Sequence, residues 1–73
     1  MAKEIIEAPM AGKIISVNVK PGDVVKEDDV LLTLESMKME NPIITTVSGK
    51  VVEVGVSEGE TVEAGKILAV IEY

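Results

Sequence analysis

The sequence contains two related copies of a 24-residue segment, which lie 37 positions apart. Gly12–Glu35 reads GKIISVNVKPGDVVKEDDVLLTLE, and Gly49–Glu72 reads GKVVEVGVSEGETVEAGKILAVIE. Eight of the 24 aligned pairs are identical, and most other apolar positions exchange one aliphatic side chain for another. A unit of this size cannot bury its own apolar face, so the two copies are expected to pack together about a pseudo-twofold axis.

Each copy begins with a pattern typical of a β-strand. A glycine opens this strand, which is predicted over Lys13–Lys20 in the first copy and Lys50–Ser57 in the second. Ile15, Val17 and Val19 alternate with polar residues, and this period of two indicates a strand with one buried face. No segment of the chain shows the apolar period of a helix. The predicted class is therefore all-β, as a small sandwich or a flattened barrel.

Turns and further strands follow in the same order in both copies. Gly22 and Gly59 occupy the third position of a predicted turn, where a positive φ is expected. A short segment, Val24–Val25 or Thr61–Val62, follows each turn, and further strands are predicted at Ile5–Glu7, Val30–Glu35, Met39–Ile44 and Ile67–Glu72. Pro42 has no backbone N–H for a ladder hydrogen bond, so its strand is predicted to lie at a sheet edge or to be interrupted near its start.

The residue types that are absent limit what a chain of 73 residues can do. It has no histidine and no cysteine, so it lacks a near-neutral base, a thiolate nucleophile and the usual zinc ligands. No catalytic residue is therefore predicted. No metal site is predicted either, because the acidic run Glu27–Asp29 lacks the glycine-punctuated spacing of a calcium loop. The length has room for one domain, which is predicted to span residues 1–73.

The charge of the chain restricts its partners. A net charge of −6 argues against binding to nucleic acid or to an anionic membrane surface, both of which require clusters of basic residues. No apolar run approaches the roughly 20 residues of a membrane span, and no signal peptide precedes the first strand-like segment. We therefore expect a cytoplasmic, monomeric module that does not insert into membranes and is attracted to basic partners.

The segment ESMKME, residues 35–40, connects the two copies and breaks a rule of turn chemistry. A two-residue hairpin turn needs positive φ and therefore favours Asn and Gly, yet this segment contains neither. Such a departure without structural gain is typical of a functional site. A solvated lysine amine is protonated at neutral pH. Lys38 is therefore predicted to be a substrate for modification by another enzyme and not a catalyst.

The repeat also predicts where this lysine lies in the fold. A shift of Lys38 by 37 positions gives position 1 in one direction and position 75, just past the C-terminus, in the other. The pseudo-twofold axis therefore maps the lysine turn onto the region where the chain ends meet. Lys38 is expected at one end of the domain and both termini at the other.

The same segment resembles the attachment motif of a known family, the biotinyl domains of biotin-dependent carboxylases and decarboxylases. Their lysine is flanked by methionines inside Glu-x-Met-Lys-Met-Glu, and the variable position, usually alanine, is Ser36 here. Ala8–Gly12 resembles the opening motif of the family, and Val19–Val25 and Val56–Val62 resemble its two turns. The resemblance extends over nearly the whole chain.

The resemblance implies a flattened barrel of two four-stranded antiparallel sheets, with the lysine on a hairpin between the halves. It implies that a biotin–protein ligase joins biotin to Lys38 as an amide. The residues implied in recognition by the ligase and by partner enzymes are Glu35, Ser36, Met37, Met39 and Glu40. The biotin arm would carry a carboxyl group between a biotin carboxylase and a carboxyltransferase or decarboxylase, and the chain itself would catalyse neither reaction.

Three other interpretations stay open at this point. Lipoyl carriers share the fold but generally place Asp before the lysine, where this chain has Met37, although some attachment proteins accept both cofactors. Adaptor subunits of export pumps share the fold without a modified lysine, but they carry a long helical hairpin where this chain has a short turn. The plainest interpretation is a solvated lysine whose neighbours Met37 and Met39 fill gaps in the core.

Overall fold

The computed structural model describes all residues from Met1 to Tyr73 and contains eight β-strands and no helix. In chain order they are β1 Lys3–Glu7, β2 Gly12–Val17, β3 Val24–Val25, β4 Val30–Ser36, β5 Met39–Ile44, β6 Gly49–Val54, β7 Thr61–Val62 and β8 Ile67–Glu72. Branched aliphatic residues are frequent in the longer strands and pack well on a pleated surface. None of these elements is a helix of the length and hydropathy that crossing a membrane requires.

The strands form two four-stranded sheets in which every neighbouring pair is antiparallel. One sheet has the order β1-β8-β6-β3 and the other has the order β5-β4-β2-β7. Each strand has its repeat equivalent at the same place in the other sheet, β4 with β8 and β2 with β6. The predicted all-β class, the two four-stranded sheets and the pseudo-twofold arrangement are therefore confirmed.

Fourteen buried apolar side chains form a single core cluster. Both copies of the repeat contribute, with five residues from the first and six from the second, and the equivalent residues Leu31 and Leu68 are both without exposed surface. The complete cluster is Ile6, Ala8, Ile14, Val25, Leu31, Leu32, Leu34, Ile43, Val51, Val56, Val62, Leu68, Ala69 and Ile71. Burial of a Val, Leu or Ile side chain contributes about 1.5–3 kcal/mol, so this cluster is the main stabilising element of a chain without disulfides.

The first strand of each copy is shorter than predicted and contains a bulge. β2 ends at Val17 and β6 at Val54, in both cases three residues before the predicted end. Ile14 pairs with Leu34 and Ser16 pairs with Thr33, so Ile15 has no partner in β4 and forms a β-bulge. A bulge interrupts the regular alternation of buried and exposed side chains along the strand. Ile14 is completely buried and Ile15 is only half-buried. The prediction from simple alternation was therefore wrong at Ile15, whereas Val17 does pack against the core.

Two predictions from local backbone chemistry are confirmed. Gly22 and Gly59 have φ values of 100° and 91°, as expected for the third position of their turns. β5, which contains Pro42, lies at the edge of its sheet. The short segments Val24–Val25 and Thr61–Val62 form the two-residue strands β3 and β7, which were not predicted as strands, and each closes the far edge of its sheet.

The chain ends meet at the place that the repeat predicts. Ala2 and Tyr73 exchange two backbone hydrogen bonds of 2.9 and 2.8 Å, and they are the repeat equivalents of Met39 and Ser36, which close the β4–β5 hairpin. β5 runs away from that hairpin turn for about 20 Å, and residues 45–48 then connect it to Gly49, which lies against Glu72. In a molecule 36 Å long, the lysine turn and the termini therefore lie at opposite ends, as predicted.

Candidate attachment site at the β4–β5 turn

Lys38 lies in a two-residue turn between β4 and β5. Ser36 and Met39 are the last paired residues of the two strands, which leaves Met37 and Lys38 as the turn. Both have positive φ, 55° and 64°, and this combination defines a type I′ hairpin turn. The left-handed conformation costs a residue with a Cβ roughly 1–2 kcal/mol, so the turn is strained in a way that Asn-Gly would avoid.

The turn presents its side chains to solvent. Met37 is 91% exposed and Met39 is 66% exposed, which excludes the interpretation of both as core fillers. Lys38 is exposed, and its amine is free, because the single ion pair of the protein joins Lys20 to Asp23. A free amine on a projecting turn fits the formation of an amide with the carboxyl group of biotin, which needs only that another enzyme can reach the nitrogen.

The turn lines no cavity. A surface depression of about 380 Å³ lies elsewhere, along β7 and the loop after it, between Glu60 and Lys66. Active sites generally surround their substrates in concave pockets. A lysine on a convex tip is instead placed to enter the pocket of another protein.

The predicted recognition residues lie on two different faces of the hairpin. Glu35 and Glu40 are directly opposite each other on adjacent strands, and Ser36 and Met39 form the next pair towards the turn. Because side chains alternate between the faces of a sheet, the acidic pair and the Ser36–Met39 pair point to opposite sides. The hairpin therefore offers a partner one acidic face and one face with a large exposed thioether.

The acidic pair departs from the charge pattern at the equivalent place in the other sheet. There Glu72 lies between Lys3 and Lys50, so every neighbouring pair has opposite charges. Like charges directly opposite each other destabilise a sheet, whereas opposite charges stabilise it by about 0.2–1 kcal/mol. The hairpin therefore has two locally unfavourable features, the strained backbone of the turn and the Glu35–Glu40 pair. The equivalent end of the other sheet shows that the fold can form without such a pair of like charges.

One residue of this site was missed by the sequence analysis. Asn41 lies in β5 opposite Leu34, and its side-chain amide donates hydrogen bonds to the carbonyl oxygens of Leu34 and Met39. The signal in the sequence is its register: Met39, Asn41 and Ile43 share the core-facing side of β5, and a polar residue there is unexpected. The amide connects the two strands of the hairpin below the strained turn.

Comparisons with known proteins agree with this geometry. The family model described as "Biotin-requiring enzyme" matches residues 4–71. The gamma subunit of glutaconyl-CoA decarboxylase from Acidaminococcus fermentans is 67% identical over 39 residues, which are 53% of this chain and 27% of that protein. The biotinylated protein TB7.3 homolog of Mycobacterium leprae is 43% identical over 68 residues, covering 93% of this chain and 96% of that protein.

The fold is shared with a solved carboxylase. The structure of urea carboxylase from Kluyveromyces lactis matches 99% of this chain, and 6% of that one, with a TM-score of 0.90 and 32% sequence identity. This chain spans about a third or less of the length of the first relatives it matches. The resemblance drawn from the sequence and the assignment of biotin as cofactor are confirmed by these matches. The chain therefore belongs to the family of biotin-requiring enzymes, and within it to the biotin carboxyl carrier domains, which are the carrier components of carboxylases and decarboxylases.

Proposed function

We propose that Lys38 is the residue that carries biotin and that a biotin–protein ligase joins the two. The observation that supports this most directly is the strained turn, in which Met37 and Lys38 both have left-handed φ. None of the other lysines has a positive φ. Strained backbone of this kind clusters at functional sites, where the surrounding structure holds it for a purpose.

The proposed attachment is an acyl transfer to the lysine amine. The ε-amine of Lys38, deprotonated in the pocket of the ligase, attacks the acyl carbon of biotinyl-adenylate; a C–N bond forms, the acyl–phosphate bond breaks and AMP leaves. When bound, biotin accepts a carboxyl group at one enzyme and releases it at another. The chain presents the arm on an exposed turn, and covalent attachment to a protein that contacts both enzymes raises the effective concentration of the cofactor at both active sites.

The proposed partners are a biotin carboxylase that uses bicarbonate and ATP, and a carboxyltransferase or decarboxylase. The names of relatives support this assignment: they include subunits of glutaconyl-CoA and methylmalonyl-CoA decarboxylases and a propionyl-CoA carboxylase chain. The exposed Met37 and Met39 and the acidic pair beside them provide the contact surface for these enzymes. The proposal treats residues 1–73 as one monomeric carrier domain that works in the cytoplasm.

The test is the intact mass of the protein after incubation with a biotin–protein ligase, ATP and biotin. We expect one biotinyl group on the wild type and on Lys26→Arg, a control at an exposed lysine outside the hairpin, and none on Lys38→Arg. Biotin on Lys38→Arg would contradict the assignment of the residue. A wild type that takes no biotin would contradict the assignment of the reaction, and the same protein would then be offered to a lipoyl ligase.

A further inference from the structure

The strained attachment turn has to be held by residues outside the turn itself. Met37 and Lys38 both occupy the left-handed region, and neither residue takes part in a side-chain hydrogen bond. Backbone of this kind persists only where surrounding contacts determine it. The contacts that hold the turn must therefore come from the two strands below it.

Asn41 makes such contacts to both strands. It is half-buried on the core-facing side of β5, and its Nδ2 donates hydrogen bonds to the carbonyl oxygen of Met39 at 3.2 Å and to that of Leu34 at 3.4 Å. The amide has two N–H donors, so one rigid group connects a carbonyl of β4 to a carbonyl of β5. No other side chain in this hairpin is hydrogen-bonded to the backbone of the hairpin.

The pseudo-symmetry separates this contact from the general architecture of the fold. The repeat equivalent of Asn41 is Glu4, which lies opposite Ile71 as Asn41 lies opposite Leu34. The side chain of Glu4 makes no hydrogen bond, and the strands there end in the paired chain termini without a turn. The bridging amide is therefore present at the sheet end that has a strained turn and missing at the equivalent end that has none.

We propose that Asn41 is a positioning residue for Lys38, which keeps the turn in the left-handed conformation that the ligase and the partner enzymes bind. This inference rests on the proposed attachment of biotin to Lys38. Without the amide, the turn exchanges between the left-handed conformation and relaxed ones. Because the ligase binds only the left-handed fraction, the apparent KM for ligation increases in inverse proportion to that fraction. Loss of these two long hydrogen bonds together is expected to change such a population about 5- to 10-fold, and kcat is expected to change little.

The experiment combines ligase kinetics with the NMR spectrum of the protein before modification. In Asn41→Ala, we expect KM for ligation to rise about 5- to 10-fold. We also expect Met37 and Lys38 to lose the strong intraresidue NOE between amide and α protons that positive φ produces. Asn41→Asp keeps the shape of the side chain but has no donor when ionised, so it should behave in the same way if Asn41→Ala does not fold.

Two controls separate positioning from general stability. Ile43→Val removes one methylene from the same strand and should lower thermal stability without changing the turn NOEs or KM. Met37→Asn places a residue that tolerates positive φ in the turn, and in the Asn41→Ala background it should restore the NOE of Lys38. Unchanged NOEs, or a KM no higher than that of Ile43→Val, would overturn the inference. Because the NOEs need no ligase, they decide it even if the wild type takes no biotin.

Discussion

Replacement of Gly12 by alanine tests how the frame of the domain supports the attachment hairpin. A methyl group at this position would overlap the carbonyl oxygen of Glu35 and lie 3.0 Å from Cδ1 of Leu34. The repeat provides a matched control, because a methyl group at Gly49 would overlap the carbonyl oxygen of Glu72 in the same way. Glu35 lies three residues before Lys38, whereas Glu72 lies beside the chain termini.

The expected magnitude follows from two opposing effects. Relief of the overlap requires the strands to move apart, and overpacking of this kind costs about 1–3 kcal/mol. Alanine also reduces the conformational freedom of the unfolded chain, which offsets about 0.4–1 kcal/mol. Both variants are therefore expected to lose about 1–2 kcal/mol of unfolding free energy. For a domain of this size that is a decrease in Tm of about 5–15 °C.

The assay measures thermal unfolding by circular dichroism and then ligation rates at a temperature where every variant is folded. We expect the same decrease in Tm for Gly12→Ala and Gly49→Ala, but a higher KM for the biotin–protein ligase only for Gly12→Ala, because only that strain reaches the hairpin. An unchanged Tm in Gly12→Ala would refute the close-approach reasoning. Equal ligation by the two variants would refute the coupling between β2 and the turn.

Three further predictions concern stability. Asp28 has a φ of 77°, and its repeat equivalent is Gly65, with a φ of 90°. Because glycine adopts positive φ without steric cost, Asp28→Gly should raise Tm slightly and Gly65→Ala should lower it. In thermal unfolding, each change should correspond to up to about 1 kcal/mol of unfolding free energy. Hydrogen bonds from the backbone N–H and then the amine of Lys20 hold the pKa of Asp23 below its ordinary value of 3.8. The ionised carboxylate therefore stabilises the folded state fully above about pH 4, and this stabilisation is lost as the pH falls further. In Asp23→Asn, acid titration of the unfolding free energy should lack this pH-dependent contribution. Leu34 is completely buried, so Leu34→Ala should lose about 2–5 kcal/mol in urea unfolding.

The repeat made most of the fold predictable from the sequence alone. Once the two copies are aligned, every strand in one must have an equivalent in the other. The alignment paired Val24–Val25 with Thr61–Val62 as short segments, but two residues have no detectable period, and only the structure identifies them as the strands β3 and β7. The bounds of β5 were predicted as Met39–Ile44 and are observed there. The position of the lysine turn relative to the termini also followed from the repeat, because it depends on symmetry and not on local propensity.

The bulges and the role of Asn41 could not be predicted in this way. A bulge depends on which carbonyls and N–H groups meet across two strands, and Ile15 and Val52 are ordinary strand residues that look suitable for regular pairing. Asn41 acquires its partners only when the two-residue turn sets the register of β5 against β4. With the turn given, the core-facing side of β5 can be counted from Met39, and the asparagine then stands out as the polar residue on it.

The two ends of the domain show how one duplicated unit serves two purposes. At one end the pair Ala2–Tyr73 closes the sheet with backbone hydrogen bonds beside opposite charges, which is the arrangement that favours stability. At the other end the equivalent pair closes a strained turn beside two opposed carboxylates, and both features lower stability. The two ends are equivalent by symmetry, so stability alone does not explain why both unfavourable features occur at the same one. Their occurrence together indicates that this end has a function besides closing the sheet. Because the chain termini and the lysine lie at opposite ends of a molecule 36 Å long, the end that carries the lysine can enter a partner while the end with the termini stays outside it.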